Sequence, residues 1–209
     1  MAKLGDHVFS AGKGSLGNVV MYTMYGRNYM RLKPAKYNDR KSEAQLAQRA
    51  RMQLVNDFMK PFKELIRRTY AAEAIGRAPY HEAKSHLMKH AVQGNYPDLY
   101  INKHAALLSK GPLPLPADAL FQKQDGALLI KWNEELPYER MHSRDTLLII
   151  ASDPTAGCCD YRFTDVMRKE GQYKWKPDIS VADDVQPDVW IAFLSFDDSL
   201  MSNSMYITP

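Results

Sequence analysis

The sequence predicts an α+β protein of two domains: a β-hairpin with helices, then an antiparallel β-sandwich of fibronectin type III or immunoglobulin kind. Three observations predict it. Apolar residues recur at helical spacing between residues 42 and 93. Short β-branched and aromatic runs, separated by polar turns, fill residues 118–209. Between them lies Lys110-Gly111-Pro112-Leu113-Pro114-Leu115-Pro116. Alternating prolines remove backbone donors and fix φ, so neither helix nor central strand is expected there. Residues 111–117 therefore read as a semi-rigid connector between a domain at 1–110 and one at 118–209.

Charge divides the chain at the same place. Residues 1–110 hold 19 Lys and Arg against 8 Asp and Glu, whereas residues 111–209 hold 9 against 16. A basic half joined to an acidic half implies different neighbours, or opposite surfaces that dock on copies of each other. No run approaches the roughly 20 apolar residues that cross a bilayer. The first residues lack the continuous apolar segment of a secretory signal. Cys158 and Cys159 are adjacent, a poor geometry for a mutual disulfide, and read as reduced thiols of a cytoplasmic protein.

Gly12-Lys13-Gly14-Ser15-Leu16-Gly17 spells G-x-G-x-x-G. A dinucleotide site needs a helix after it, so that the helix N-terminus faces the pyrophosphate. Here the strand-like run Val19–Tyr25 follows instead. A P-loop fails because Gly14, not Ser or Thr, follows Lys13. A kinase phosphate loop matches through Val19, but no H-R-D or D-F-G segment follows. The stretch reads as a loop whose glycines supply positive φ or close backbone packing.

Tyr25-Gly26-Arg27-Asn28 reads as a turn, and Tyr29-Met30-Arg31-Leu32 as the returning strand. One face would carry Val20, Tyr22 and Met24, the other Val19, Met21, Thr23 and Tyr25. Neither face is polar, and an isolated two-stranded ribbon is marginal in water. A helix, another strand or another subunit is expected to cover it. Tyr22, Tyr25 and Tyr29 interleaved with Arg27, Arg31 and Lys33 also suit base stacking and phosphate neutralisation.

The connector Lys33–Lys41 is extended and basic, and carries Arg40 and Lys41. Ser42 with Gln45 three residues on forms a capping box. Ala47, Leu54, Phe58, Phe62, Leu65 and Ile66 mark one apolar face, with Arg49 and Arg51 off it. Pro61 interrupts the pattern. An interior proline costs about 3 kcal/mol, whereas burying each large apolar side chain returns about 1.5–3 kcal/mol. Packing wins, so two consecutive helices or one kinked helix is expected.

Gly14-Ser15-Leu16-Gly17-Asn18-Val19-Val20, the Gly26–Arg31 turn, Pro34, Glu43–Arg51, Phe58–Ile66 and Ser202-Asn203-Ser204-Met205-Tyr206 carry a family resemblance. The chain resembles an uncharacterised family of Bacteroidetes proteins, a domain of unknown function. The resemblance implies a glycine-rich N-terminus, a basic Gln/Arg-rich helix and a β-rich C-terminal half, and no activity. Where that family has Asn-Pro-Arg-Thr before its helix, this chain has Asn38-Asp39-Arg40-Lys41-Ser42, which loses a proline and keeps the cap.

Pro79 opens a further helix, expected over Tyr80–Gln93 and closed by Gly94. His81-Glu82 followed by His86 misses the zincin spacing by one residue. Glu82, His86 and His90 share a face but span about 12 Å, too far for one ion. Turn and short strands are expected over Tyr96–Ile101 and Ala105–Ser109. In the second half the strand candidates are Ala127–Trp132, Thr146–Ala151, Cys158–Phe163, Val189–Phe196 and Ser204–Ile207, with Tyr173–Trp175 weaker. Asp183, Asp184, Asp188, Asp197 and Asp198 fall at strand ends, as turn chemistry rather than a calcium loop.

No catalytic constellation, cofactor motif or metal motif stands out. The expectation is a non-enzymatic interaction protein that self-assembles or docks on a larger complex. A phage-type virion component is a special case by analogy. Its interaction residues would be Tyr22, Met24, Tyr25, Arg27, Tyr29, Arg31, Lys33, Arg40, Lys41, Arg49 and Arg51. The alternative is nucleic-acid binding through the basic Arg27–Arg68 region. A third reading is a ligand- or glycan-binding sandwich with Trp132, Trp175 or Trp190 exposed.

Overall fold

Two short reversals shape the N-terminal part of the computed structural model, which describes residues 2–4, 13–35, 39–116, 118–124, 126–133, 142–179 and 186–209. Gly17-Asn18 joins β2 (Gly14–Leu16) to β3 (Val19–Met24), and Tyr25-Gly26 joins β3 to β4 (Arg27–Leu32). Tyr25 and Gly26 both take positive φ, 51° and 72°, which matches the twist of a two-residue hairpin. With β1 (Ala2–Leu4) they form a four-stranded antiparallel sheet in the order β1-β4-β3-β2. The expected hairpin is thus the centre of a wider sheet. Part of the glycine-rich loop is itself a strand. Gly17 does need its freedom, at φ 53°; Gly12 lies outside the described residues.

The chain resolves into two compact units, Met1–Gln45 and Leu46–Pro209. α1 (Glu43–Met59) starts on the expected capping box: Gln45 N donates to Ser42 Oγ at 3.4 Å and Ser42 N to Gln45 Oε1 at 3.2 Å. At Pro61 the helix stops, and α2 (Lys63–Thr69) begins two residues later, so the pair is two consecutive helices. α3 (Pro79–His90) ends three residues before the expected Gln93. Val92–Asn95 instead forms β5, paired with β6 (Asp98–Ile101). At Gly94, φ is 87° and an added Cβ would overlap the Asp98 carbonyl. The glycine that resembled a helix stop serves the close approach inside this hairpin. Ala105–Ser109 is not a strand; a 3-10 turn covers Lys103–Ala105.

Two antiparallel sheets build the rest. The first is β7 (Ala119–Gln124), β8 (Ala127–Trp132) and β11 (Gln172–Trp175), in the order β11-β8-β7. The second is β9 (Thr146–Asp153), β10 (Cys158–Met167), β12 (Asp188–Leu194) and β13 (Met205–Ile207), in the order β10-β9-β12-β13. Alternate side chains of a strand point to opposite faces. Leu147, Ile149, Val189, Ile191 and Phe193 pack with Phe121, Ile130 and Trp132 of the three-stranded sheet. Their neighbours Leu148, Ile150, Trp190 and Ala192 pack with Val55, Met59, Phe62 and Ile66 of the helices. A sheet wet on one side reads as alternating apolar and polar. Leu147–Ala151 and Val189–Leu194 read as unbroken apolar runs because the sheet is covered on both sides.

The division expected at residues 111–117 is not the one the structure draws. The helices pack on one face of the four-stranded sheet β10-β9-β12-β13, and the proline stretch is fastened to that sheet's unit. Leu113 N donates to Met201 O at 3.1 Å, and Gly111 N to the Asn203 side chain at 3.2 Å. Arg168 Nη2 donates to Pro114 O at 2.8 Å. Prolines lack donors but keep carbonyls, so a buried guanidinium can hold them. The Ser202-Asn203-Ser204 segment completes the seam: Ser204 Oγ accepts from Leu108 N, and Ser109 Oγ donates to Ser202 O. Arg168, only 1% exposed, also sits 3.8 Å over the Phe193 ring and 3.4 Å from Asp145 Oδ2. β7 was not anticipated, since Gln122, Lys123 and Gln124 dilute its β-branched character.

Candidate functional site

Register sorts the N-terminal sheet into two unlike faces, because residues directly opposite in a ladder share a face. One carries the rows Met24–Arg27, Tyr22–Tyr29 and Ser15–Val20–Arg31. The other carries Leu16–Val19–Leu32, Gly14–Met21–Met30 and Thr23–Asn28. The first is aromatic and basic, with Tyr22 and Tyr29 stacked at 5.6 Å and 21° and both arginines exposed. The second is apolar apart from the Thr23 Oγ1 to Asn28 Oδ1 hydrogen bond of 2.7 Å. The expectation that neither face is polar thus fails for one of them, since β4 contributes Arg27 and Arg31.

Five of the anticipated residues, Tyr22, Met24, Arg27, Tyr29 and Arg31, come together on that aromatic and basic face. Tyr25 stands half-exposed in the hairpin turn. Lys33 is committed to structure, its Nζ donating to Gly17 O at 3.0 Å and its N–H to Asn18 O at 2.7 Å. Arg40 and Lys41 are exposed in the segment before α1. Arg49 and Arg51 belong to the other unit, where Arg51 is half-buried.

Leu16 and Leu32 escaped the sequence reading, yet they are 68% and 71% exposed at one end of the apolar face. Among the described residues from 13 to 45, no side chain is fully buried. A signal was there to find them: Gly17-Asn18 between Ser15-Leu16 and Val19-Val20 is a two-residue hairpin pattern, which places Leu16 opposite Val19.

Other candidates are placed elsewhere. Trp132, Trp175 and Trp190 are 5%, 2% and 0% exposed, which removes the reading based on an exposed tryptophan platform. The rings of His86 and His90 lie 4.6 Å apart on α3, tilted by 39°, and burial followed by the neighbouring His90 lowers the His86 pKa. Among the described residues no three His, Cys, Asp or Glu cluster as metal ligands. Asp197 accepts from Ser195 Oγ, Ser199 N and Ser199 Oγ in a turn, and these bonds pull it down to about 2. Asp183 and Asp184 lie outside the described residues. Both cysteines are free thiols. Cys159 donates to Pro61 O at 3.1 Å, and burial pushes it up to about 11. Among the described residues, no helix is long and apolar enough to cross a membrane.

The model of DUF6266, a family of unknown function, matches residues 11–208. The chain belongs to this family. No curated protein matches it. The DUF6266 match takes in β2, β3 and β4 as well as the helices and the sandwich. Three of the four strands of the N-terminal sheet thus lie within the matched residues, and β1 precedes them.

Proposed function

We propose that this protein is a non-enzymatic assembly component whose N-terminal sheet is covered by another protein subunit, in the first instance a second copy. The apolar face, ending in the exposed pair Leu16 and Leu32, carries the reading. Burying a leucine stabilises a complex by about 1.5–3 kcal/mol, so a row of such residues is a strong incentive to associate. Residues 1–45 hold 8 Lys and Arg against 3 Asp and Glu and residues 46–209 hold 20 against 21, so the apolar face rather than charge is what a second copy would match. The free cysteines support a cytoplasmic setting, and a virion-type assembly is one form such association takes.

The strands of the unit Leu46–Pro209 read best as a fibronectin type III-like sandwich. The seven strands β7 to β13 split as first, second and fifth against fourth, third, sixth and seventh. An immunoglobulin constant domain keeps its fourth strand with the first group; here β10 sits beside β9 instead.

Light scattering over a range of protein and salt concentrations tests the assembly. The wild-type chain is expected to exceed its 23.9 kDa monomer mass, and Leu16→Ser with Leu32→Ser to return it to monomer with unchanged far-ultraviolet circular dichroism. A monomer under every condition would end the proposal.

A second reading, binding of single-stranded nucleic acid, is favoured by the stacked tyrosines flanked by Arg27 and Arg31. Oligonucleotide anisotropy titrations should then weaken with salt, with a log–log slope of about −0.7 per phosphate neutralised. Arg27→Ala with Arg31→Ala should flatten that slope. Absence of binding at low salt removes this reading.

A further inference from the structure

Within the unit Leu46–Pro209 a cavity of about 440 Å³ opens among the end of α1, the Pro61 turn, β6, the β9–β10 turn and β12. Its apolar wall includes Leu54, Phe58, Phe62, Leu99 and Ile101, with the fully buried Trp190 behind them. Phe58 and Phe62 meet the Trp190 ring at 6.3 and 5.8 Å, nearly edge-on. The volume is that of a small-molecule site, and the wall is largely hydrocarbon.

The charged groups of the lining set the sign of the occupant. They are Asp57, Asp153, Asp188 and Lys103. Lys103 is already taken: its Nζ lies 2.7 Å from Asp188, which also accepts from Tyr206 Oη at 2.9 Å. Asp153 is fixed by its own turn, where Oδ1 accepts from Thr155 N, Thr155 Oγ1 and Ala156 N at 2.7, 2.6 and 3.1 Å. Those donors hold its carboxyl below the usual range, so it is ionised at neutral pH. Asp57 is exposed on α1, and its carboxylate has no partner among the described residues. Two carboxylates thus remain without a counter-cation in the lining. Aromatic faces attract cations as well.

We propose that this cavity binds a small apolar cation, an arylalkyl or branched aliphatic amine, with its hydrocarbon body against Phe58 and Leu99 and its ammonium toward Asp57 and Asp153. A neutral molecule of the same shape keeps the apolar contacts and loses the charge attraction. An anion meets repulsion. The site is independent of the N-terminal sheet, so failure of either proposal leaves the other standing.

Titration calorimetry of the full chain with phenethylamine, 2-phenylethanol and 3-phenylpropionate separates these cases. The amine is expected to bind about tenfold more tightly than the alcohol at low salt, with the acid weakest. Asp57→Asn, a change at an exposed position, should narrow the amine preference. Phe58→Ala should weaken all binding, and Leu99→Ala at the rim of β6 serves where Phe58→Ala does not fold. Equal affinity for the three probes, no saturable heat from any, or unchanged binding in both wall variants would overturn the proposal. Tighter binding of a short arginine-containing peptide than of the amine would also overturn it, assigning the cavity to a protein partner.

Discussion

The sheet built on β3 and β4 and the sheet built on β9 and β12 are made from similar residues and end in opposite circumstances. Both are antiparallel and largely apolar, with Val, Met and Tyr in β3 and β4 and Leu, Ile, Val, Phe and Trp in β9 and β12. Ile149, Ile150, Val189 and Trp190 show no surface to solvent, whereas Val19, Val20, Met21 and Tyr22 are only partly buried. The central sheet has helices on one side and a second sheet on the other. Apolar content commits a strand to burial. It does not say what will do the burying.

The comparison breaks most visibly at Arg168. Arg168→Ala leaves Asp145 buried without its guanidinium and frees the Pro114 carbonyl, so chemical denaturation should show a loss of about 3–5 kcal/mol. Next, Ile149→Ala and Ile150→Ala remove buried methyl groups from opposite faces of one strand, and each should cost about 2–5 kcal/mol. A negligible cost for one of them would mean that its face is not packed as described. The corresponding change in the N-terminal sheet, Leu32→Ala, should cost less than about 0.5 kcal/mol in the monomer, while weakening association in light scattering. A large monomer loss there would erase the contrast.

The smallest effect is expected at Asp197. Its turn hydrogen bonds depress its folded pKa from 3.8 to about 2. A depressed carboxylate stabilises the fold above its unfolded pKa, and that contribution fades as pH falls toward the folded value. Asp197→Asn should therefore lower the melting temperature slightly at neutral pH, with the gap closing as pH falls from 3.8 to about 2. A gap that persists at the acid end would show that the carboxylate's charge is not what the turn uses.

Local signals were legible. The capping box at Ser42 and Gln45, the break at Pro61, the Tyr25-Gly26 reversal and most strands of the second half follow from short-range chemistry, and each is present. The misses share a cause. Gly94 resembled a helix stop because the Asp98 carbonyl that crowds it is brought close only once β5 and β6 pair. The prolines at 112–116 resembled a linker because Arg168, which holds them, lies more than fifty residues away. Of the candidate interaction residues, those in the hairpin shared a face by simple alternation. The pairing of Leu16 was within reach through the Gly17-Asn18 pattern, but the exposure of Leu16 and Leu32 is decided by what the rest of the fold leaves uncovered.

By itself the sequence determined where helices begin, where strands reverse and that much of the chain must be hidden from water, because propensity, capping and turn chemistry act over a few residues. Tertiary structure alone decided that the helices cover one face of the sheet β10-β9-β12-β13 while the three-stranded sheet covers the other, that the proline stretch is a fastened edge, and that two leucines near the N-terminus stand in solvent. Those outcomes depend on contacts between distant residues, and the free energy of burial is assigned only when the covering partner is in place.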